Sequence, residues 1–204
     1  LEYKKNNPKK FFSDKDAVVE VFKKTLLARD IILSSEKETY VLIGGRFSLI
    51  LNNSFFNNQE GGIELRKKPS LVIDKEIFDE NFRENIQEIA KKSNVKIILV
   101  YPIPEVGFDP KIRLKKYKFF SDNLTDTSYE VYKQRNKKTF EFLDSIKGEN
   151  ILRVYPHKKF CNIYVKKRCI THSENFIFYS DSFHLSKKGS ELVSEFILDE
   201  LKIN

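Results

Sequence analysis

Long apolar runs, paired metal ligands and flexible linkers are all missing from this 204-residue sequence. No window approaches the ~18 uninterrupted apolar residues that a membrane-spanning helix needs. Residues 1–8 are polar and basic and lack the apolar core of a secretion signal. Two cysteines without paired histidine spacing do not make a zinc site. No internal repeat or Gly/Ser-rich linker divides the chain, which predicts one domain over residues 1–204.

The sequence has fewer acidic than basic residues. It contains 37 Lys and Arg and 29 Asp and Glu, which gives a formal net charge of +8. A nucleic acid, an anionic glycan or a membrane surface would each suit this charge. The basic clusters are scattered and acidic residues usually separate them, so no nucleic-acid partner is expected. The clustered positions are Lys4, Lys5, Lys9, Lys10, Arg66, Lys67, Lys68, Lys115, Lys116, Lys118, Lys166, Lys167 and Arg168.

The two cysteines, Cys161 and Cys169, lie in a polar, turn-like stretch of the sequence. Two free thiols are one interpretation. Free cysteine usually sits buried, however, and these two flank Lys166, Lys167 and Arg168, which must be solvated. A short-loop disulfide is therefore the better interpretation, and it would place the domain in an oxidising compartment.

Apolar spacing predicts helices that alternate with short buried strands. The first two strands are too continuously apolar for a half-exposed edge. The alternation predicts an α/β domain with a mainly parallel sheet. The predicted helices are residues 14–29, a segment with Phe78, Phe82, Ile86 and Ile89 on one face and Asp74 as its cap, residues 125–147 ended by Gly148, and residues 186–201 capped by Ser186. The predicted strands are residues 40–43, 95–100 and 151–155.

Candidate functional residues follow the predicted strands, because parallel α/β sheets bind ligands at the carboxyl ends of their strands. Residues 44–46, residues 101–104 and residues 179–189 occupy such places. In the last of these, Asp181 and His184 are three apart at the start of a helix. The carboxylate can then reach Nδ1 of the imidazole and leave Nε2 for a nucleophile. The alternative is a capped surface helix with a solvated histidine.

Three blocks of the sequence resemble one family. Residues 179–189, Tyr-Ser-Asp-Ser-Phe-His-Leu-Ser-Lys-Lys-Gly, follow the cysteine pair. This closely resembles the end of the SGNH (GDSL-like) hydrolase domains fused to acyltransferase family 3 membrane proteins. Residues 41–48, Val-Leu-Ile-Gly-Gly-Arg-Phe-Ser, resemble a block that in these domains often reads as small residues followed by Arg-Trp-Ser. Residues 97–105 resemble the next strand with its Pro-x-Pro-Glu end.

The resemblance implies a three-layer α/β/α sandwich of the flavodoxin-like type and a set of site residues. His184 would be the general base and acid, and Asp181 would orient it. Gly44, Gly45 and Arg46 fall where typical SGNH hydrolases have the Gly-x-Asn of the oxyanion hole. A guanidinium in place of the Asn amide could still donate to an oxyanion. A surface salt bridge is the alternative role for Arg46.

The function implied by the resemblance is O-acyl (acetyl) transfer or ester hydrolysis on a cell-envelope polysaccharide or lipopolysaccharide. It implies no metal or organic cofactor. The partners would be an acyl-donor membrane domain in the full-length protein and a surface glycan. The location would be periplasmic or otherwise extracytoplasmic, with a membrane tether. A catalytically inactive glycan-binding or scaffolding module is the alternative.

The family's nucleophile, the serine of a Gly-Asp-Ser block after the first strand, is not recognisable in this sequence. Ser145 and Ser182 lie in the wrong elements, Ser48 follows the oxyanion turn, and Ser13 lacks the glycine that a tight nucleophile turn needs. We therefore expect a sheet without its first strand, in the C-terminal part of a longer protein. A degenerate, non-catalytic relative is the other interpretation.

Overall fold

A computed structural model describes residues 15–63, 75–117 and 126–202, so that Ser13 and Asp74 lie outside the described residues. None of the described helices is long and apolar enough to cross a bilayer. In chain order the elements are helix α1 (Lys15–Ser34), strand β1 (Thr39–Ile43), helix α2 (Phe47–Asn52), helix α3 (Lys75–Ile89), strand β2 (Val95–Val100), helix α4 (Pro110–Tyr117), strand β3 (Thr127–Ser128), helix α5 (Tyr129–Ser145), strand β4 (Ile151–Val154), a 3-10 turn (Pro156–Lys159), strand β5 (Arg168–Cys169) and helix α6 (Lys187–Leu201).

The main sheet is parallel and has the strand order β1-β2-β4. Ile43 at the end of β1 lies opposite Leu99, and Val100 at the end of β2 lies opposite Val154. Parallel neighbours need long crossovers, and here helices supply them. The carboxyl ends of all three strands therefore lie at the same edge of the sheet.

Side chains from β2 enter two separate cores. Val95, Ile97 and Leu99 join one cluster with apolar residues of α3 and α5. Ile98 joins the other cluster, which includes Phe196 of α6. Successive side chains of a strand point to opposite faces, so helices cover both faces of the central strand. The predicted α/β class with a parallel sheet is confirmed.

Strand β1 is more exposed than its sequence predicts. The prediction that neither strand is a half-exposed edge holds for β2, where Lys96 alone is exposed, and is wrong for β1, where Tyr40 is 41% and Leu42 is 57% exposed. On α1, the apolar residue Leu27 is 60% exposed. Among the described residues β1 pairs with β2 alone, and Tyr40 and Leu42, two positions apart, lie on the same face of this edge strand.

Serine side chains begin two of the helices. Ser186 caps α6 as predicted, with its Oγ accepting from the N–H of Gly189. Ser128 caps α5 in the same way, accepting from the N–H of Val131. Helix α5 therefore begins four residues later than predicted and ends at Ser145, before Gly148. The side chains of these two capping serines therefore fix where the helices begin.

Cys161 and Cys169 form the predicted disulfide. Both cysteines are buried, and residues 162–167 between them are exposed. Strand β5 places Cys169 opposite Thr127 in a short antiparallel ladder with β3. The disulfide therefore closes a surface loop whose base is attached to the start of α5.

Replacing Gly189 with alanine should lower the free energy of unfolding by about 1–3 kcal/mol. Alanine normally stabilises a helix relative to glycine, but a Cβ at Gly189 would lie 2.1 Å from the carbonyl oxygen of Phe178. Ser190→Ala, at the next and exposed position of α6, is the control and should change stability by less than about 0.5 kcal/mol. Urea denaturation measures both. A Gly189→Ala protein as stable as the parent would contradict this packing.

Candidate active site

Three segments of the chain meet at a cleft of about 310 Å³. Gly45 and Arg46 follow β1, Pro102 and Glu105 follow β2, and His184 precedes α6. All of these residues line the cleft. The structure therefore brings the three candidate stretches together at the carboxyl edge of the parallel sheet, two directly after its strands and the third before the last helix.

Asp181 and His184 form a close pair at this cleft. Oδ2 of Asp181 is 2.6 Å from Nδ1 of His184. Oδ1 of the same carboxylate accepts from the backbone N–H groups of Phe183, at 2.9 Å, and His184, at 2.8 Å. A carboxylate can only accept, so Nδ1 carries the proton and donates it. In neutral imidazole Nε2 is then left as an acceptor.

The pKa of Asp181 is held below its ordinary value. Partial burial by itself raises this pKa, but the hydrogen bonds from the His184 side chain and from the N–H groups of His184 and Phe183 outweigh it. The carboxylate therefore stays ionised at neutral pH. An ionised Asp181 fixes the tautomer of His184 and would stabilise its imidazolium form.

Of the three histidines, only His184 lines the cleft within the described residues. His157 packs against Tyr129, Tyr132 and other aromatic rings. Burial, with a smaller contribution from the charge of Lys158, lowers the pKa of His157 to about 4. Burial likewise lowers the pKa of His172, against a smaller raising contribution from Asp126. His184 is therefore the histidine that is exposed at the cleft.

Arg46 is part of the cleft wall and forms a salt bridge with a buried carboxylate. Its Cζ lies 3.9 Å from the centre of the Phe183 ring, and that ring is 4.0 Å from the ring of His184. Nη2 of Arg46 donates to Oε1 of Glu105 at 2.5 Å. Arg46 therefore contacts both the segment that carries the histidine and the segment after β2.

Glu105 is a buried carboxylate between two guanidinium groups. It is 9% exposed, and its second oxygen accepts from Nε of Arg135 at 2.9 Å. Arg135 on α5 also donates to the hydroxyl and the carbonyl oxygen of Ser54. The sequence marked Glu105 only as the end of a strand motif and missed Arg135, whose place opposite Glu105 depends on how α5 packs.

Hydrogen bonds from two tyrosines and a backbone turn fix the residues after β2. Tyr132 donates to the carbonyl of Pro102 at 2.7 Å, and Tyr179 donates to that of Pro104 at 2.8 Å. Burial raises the pKa of Tyr179 well above its ordinary value, so this phenol remains a donor. The carbonyl of Ser182 accepts from the N–H groups of Val106 and Gly107. These contacts join the Asp181–His184 segment to the end of β2.

No serine of the described residues is hydrogen-bonded to the imidazole of His184. Ser48 lines the cleft but is 3% exposed, and its hydroxyl is bonded to Asn136 and Thr139 on α5. Ser145 donates to the carbonyl of Phe142. These hydroxyl groups have structural partners. Likewise, no cluster of three or more His, Cys, Asp or Glu suited to a metal occurs in the described ranges.

The fold and the cleft define an α/β domain with an Asp–His pair at the carboxyl edge of a parallel sheet. Residues 14–199 match the family model described as the SGNH domain fused to AT3 domains. The chain therefore belongs to this SGNH family, as its three sequence blocks predict. A search of the curated proteins found no match.

Two solved structures are similar to this chain. One is the periplasmic domain of a lipopolysaccharide acetyltransferase from Salmonella ser. Paratyphi A, at 19% identity and a TM-score of 0.49, with 68% of this chain and 54% of that chain covered. The other is a protein from Streptococcus pneumonia whose name refers to platelet activating factor, at 14% identity and a TM-score of 0.39, with 93% and 100% covered. The match spans about half the length of the Salmonella domain.

Replacing Glu105 with glutamine should destabilise the domain by roughly 3 kcal/mol, because breaking a buried ion pair leaves an uncompensated charge. Both Arg46 and Arg135 would lose their carboxylate partner. The control is Glu141→Gln, an equal change of charge at an exposed position of α5. Chemical denaturation measures both variants. Equal effects of the two substitutions would contradict a structural role for Glu105.

Replacing His184 with alanine should raise the pKa of Asp181 toward its ordinary value, because the side-chain donor is lost while the two backbone donors remain. A carboxyl group with a depressed folded-state pKa stabilises the fold above its unfolded pKa of about 3.9. That contribution disappears as the pH falls through the folded pKa. Carboxyl ¹³C NMR titration measures the shift, with His172→Ala as the control. An unchanged Asp181 titration would exclude the contact.

Proposed function

We propose that this domain transfers or hydrolyses O-acyl groups on a cell-envelope glycan, with Asp181 and His184 as the acid–base half of a Ser-His-Asp triad. The observation that carries the proposal is the 2.6 Å contact between Oδ2 of Asp181 and Nδ1 of His184 at the cleft. Membership of the SGNH family supports it.

In the proposed reaction, Nε2 of His184 takes the proton of a serine hydroxyl while the serine oxygen attacks the acyl carbonyl carbon. The bond to the leaving oxygen then breaks, and the imidazolium returns its proton to that oxygen. In the second half of the reaction, His184 takes the proton of a sugar hydroxyl or a water, whose oxygen attacks the acyl carbon of the acyl-serine. The bond between the acyl carbon and the serine oxygen then breaks, and the imidazolium returns its proton to the serine oxygen. Asp181 stays ionised and stabilises the imidazolium in both halves.

Arg46 and its ion cluster provide the electrostatic support in this proposal. The guanidinium groups of Arg46 and Arg135 both contact the carboxylate of Glu105, which fixes the guanidinium of Arg46 in the cleft wall. A fixed positive charge in the cleft wall favours the negative charge that develops on an acyl oxygen. Gly44 and Gly45, in the turn before Arg46, keep their proposed role in the oxyanion site.

The nucleophile in this proposal comes from a Gly-Asp-Ser block on a further strand. Within residues 15–63, 75–117 and 126–202, strand β1 has a strand neighbour on one side only, and its carboxyl end leads directly to Gly45 and Arg46 in the cleft. A parallel strand added beside β1 would bring its own carboxyl end to the same edge of the sheet. A serine at that place would lie beside the residues that are to act on it.

The proposed location is extracytoplasmic, beside an acyl-donor membrane domain that belongs to the same full-length protein. The family description, SGNH domains fused to AT3 domains, supports such a partner. The disulfide between Cys161 and Cys169 supports an oxidising compartment. A cell-envelope polysaccharide or lipopolysaccharide is the proposed acceptor.

An inactive glycan-binding or scaffolding module is the second candidate. The observation in its favour concerns Ser48, the one serine of the described residues that lines the cleft. Its hydroxyl is hydrogen-bonded to Asn136 and Thr139 on α5. The two candidates differ in one respect, because only the enzyme needs the acid–base pair for its action on the glycan.

Hydrolysis of p-nitrophenyl acetate separates the two candidates. The 204-residue chain alone should be nearly inert. The full-length gene product should be active, and His184→Ala should lower its kcat/KM by about 10³-fold or more, as loss of a general base does. His172→Ala is the matched histidine control and should retain activity. An inert full-length protein, or one that is indifferent to His184→Ala, would reject the esterase proposal.

A further inference from the structure

The disulfide loop, residues 161–169, presents consecutive apolar side chains to solvent. Ile163 is 48% exposed, Tyr164 is 75% exposed and Val165 is 41% exposed. Tyr164 is the most exposed large hydrophobic residue of the described part of the chain. Isolated exposed apolar residues are common, but a contiguous group on a projecting loop is typical of an interaction site.

The conformation of the disulfide loop is fixed by its own hydrogen bonds. The N–H of Asn162 donates to the carbonyl of Arg168 at 2.7 Å, and the N–H of Lys167 donates to Oδ1 of Asn162 at 2.9 Å. The N–H of Arg168 also donates to the carbonyl of Val165. Together with the disulfide, these bonds hold the loop in a conformation that leaves its apolar tip, Ile163, Tyr164 and Val165, exposed.

The base of the disulfide loop is anchored to two other segments. The guanidinium of Arg168 donates to both carboxylate oxygens of Glu60 and to Oδ1 of Asp126. This leaves Lys166 and Lys167, both exposed, as the charged residues beside the apolar tip. Lys166 and Lys167, which form no ion pair with any residue that the structure describes, are therefore next to the exposed apolar side chains.

We propose that the disulfide loop docks on the surface of an anionic phospholipid bilayer. Ile163 and Val165 would enter the acyl boundary, and the ring of Tyr164 would lie at the headgroup level that aromatic residues prefer. Lys166 and Lys167 would contact anionic headgroups, each strengthening binding by roughly fivefold. The formal net charge of +8 also attracts the whole domain to an anionic surface at long range.

The small size of the apolar tip favours a bilayer over a protein partner. A specific protein–protein interface needs ~800 Å² on each side, far more than three partly exposed side chains supply. A bilayer interface accepts such a small wedge, and binding remains reversible because the buried apolar area is limited. The proposal does not depend on ester chemistry, since none of the loop residues lines the cleft.

A single tryptophan can report on docking, because the chain contains none. Tyr164→Trp places the reporter at the loop tip, and Tyr40→Trp places one on the exposed edge of β1 as the control. With vesicles of equimolar phosphatidylcholine and phosphatidylglycerol, the emission of the Trp at 164 should shift to shorter wavelength. It should also be quenched by brominated lipid, and the Trp at 40 should not respond. Equal responses, or none at the tip, would overturn the proposal.

Vesicle co-sedimentation of matched variants tests the residues themselves. The double variant Ile163→Ser/Tyr164→Ser and the double variant Lys166→Glu/Lys167→Glu should each lose about tenfold or more in binding. The controls are Leu27→Ser/Ile31→Ser, which removes equally exposed apolar residues from α1, and Lys137→Glu/Lys138→Glu, which changes the same charge on α5.

The controls should lose less than about threefold, because their residues lie outside the proposed contact and share only the long-range field. Equal losses in loop and control variants would mean that general charge and hydrophobicity explain binding, and would overturn the proposal. Failure to bind mixed vesicles would overturn it as well. His184→Ala should bind vesicles like the parent, so a failed esterase proposal and a failed docking proposal give different results.

Discussion

One buried carboxylate fixes the geometry on which the cleft depends. Glu105, after β2, accepts from Arg46 after β1 and from Arg135 on α5. Desolvating these charged groups is costly, and the arrangement is tolerable only while each group keeps its partners. The three elements therefore cannot move independently. A shift of α5 or of the turn after β1 would leave a charge buried without its counterpart.

The Asp181–His184 pair depends on this cluster through ring contacts. The guanidinium of Arg46 lies against the ring of Phe183, which lies against the imidazole of His184. Tyr179 and the backbone of Ser182 attach the same segment to the residues after β2. The pair is exposed enough to meet a ligand, and its position is still determined by buried neighbours. Preorganisation of this kind is what acid–base chemistry in a cleft requires.

Two regions of the domain, strand β1 and the disulfide loop, expose apolar side chains. One face of β1 exposes the alternate side chains of Tyr40 and Leu42, and the described part of the sheet has no strand beyond β1. The disulfide loop shows apolar side chains for another reason, since its closed conformation keeps them from folding back. The first region is suited to strand pairing and the second to a surface contact. Both would be hidden in a larger assembly without any change in the domain.

The sequence by itself determined the features that depend on local pattern. The continuous apolar run of residues 95–100 predicts the central strand, Ser186 predicts the start of α6, and the three-residue spacing of Asp181 and His184 predicts their contact. The start of α5 at Tyr129 was missed, because Thr125, Asp126, Thr127 and Ser128 are all residues that can cap a helix and the sequence does not choose between them. Burial of β1 was also mispredicted, since composition does not reveal which strand lies at an edge.

Tertiary structure alone decided which distant residues share one site. Arg46, Glu105 and Arg135 are separated by 59 and 30 positions along the chain, and nothing local marks them as a cluster. Likewise, only packing against α5 shows that the hydroxyl of Ser48 is committed to Asn136 and Thr139. Local pattern is set by backbone periodicity and capping, which act within a few residues. Charge pairing and burial depend on where the parallel crossovers return the chain, and that is fixed only when the whole sheet assembles.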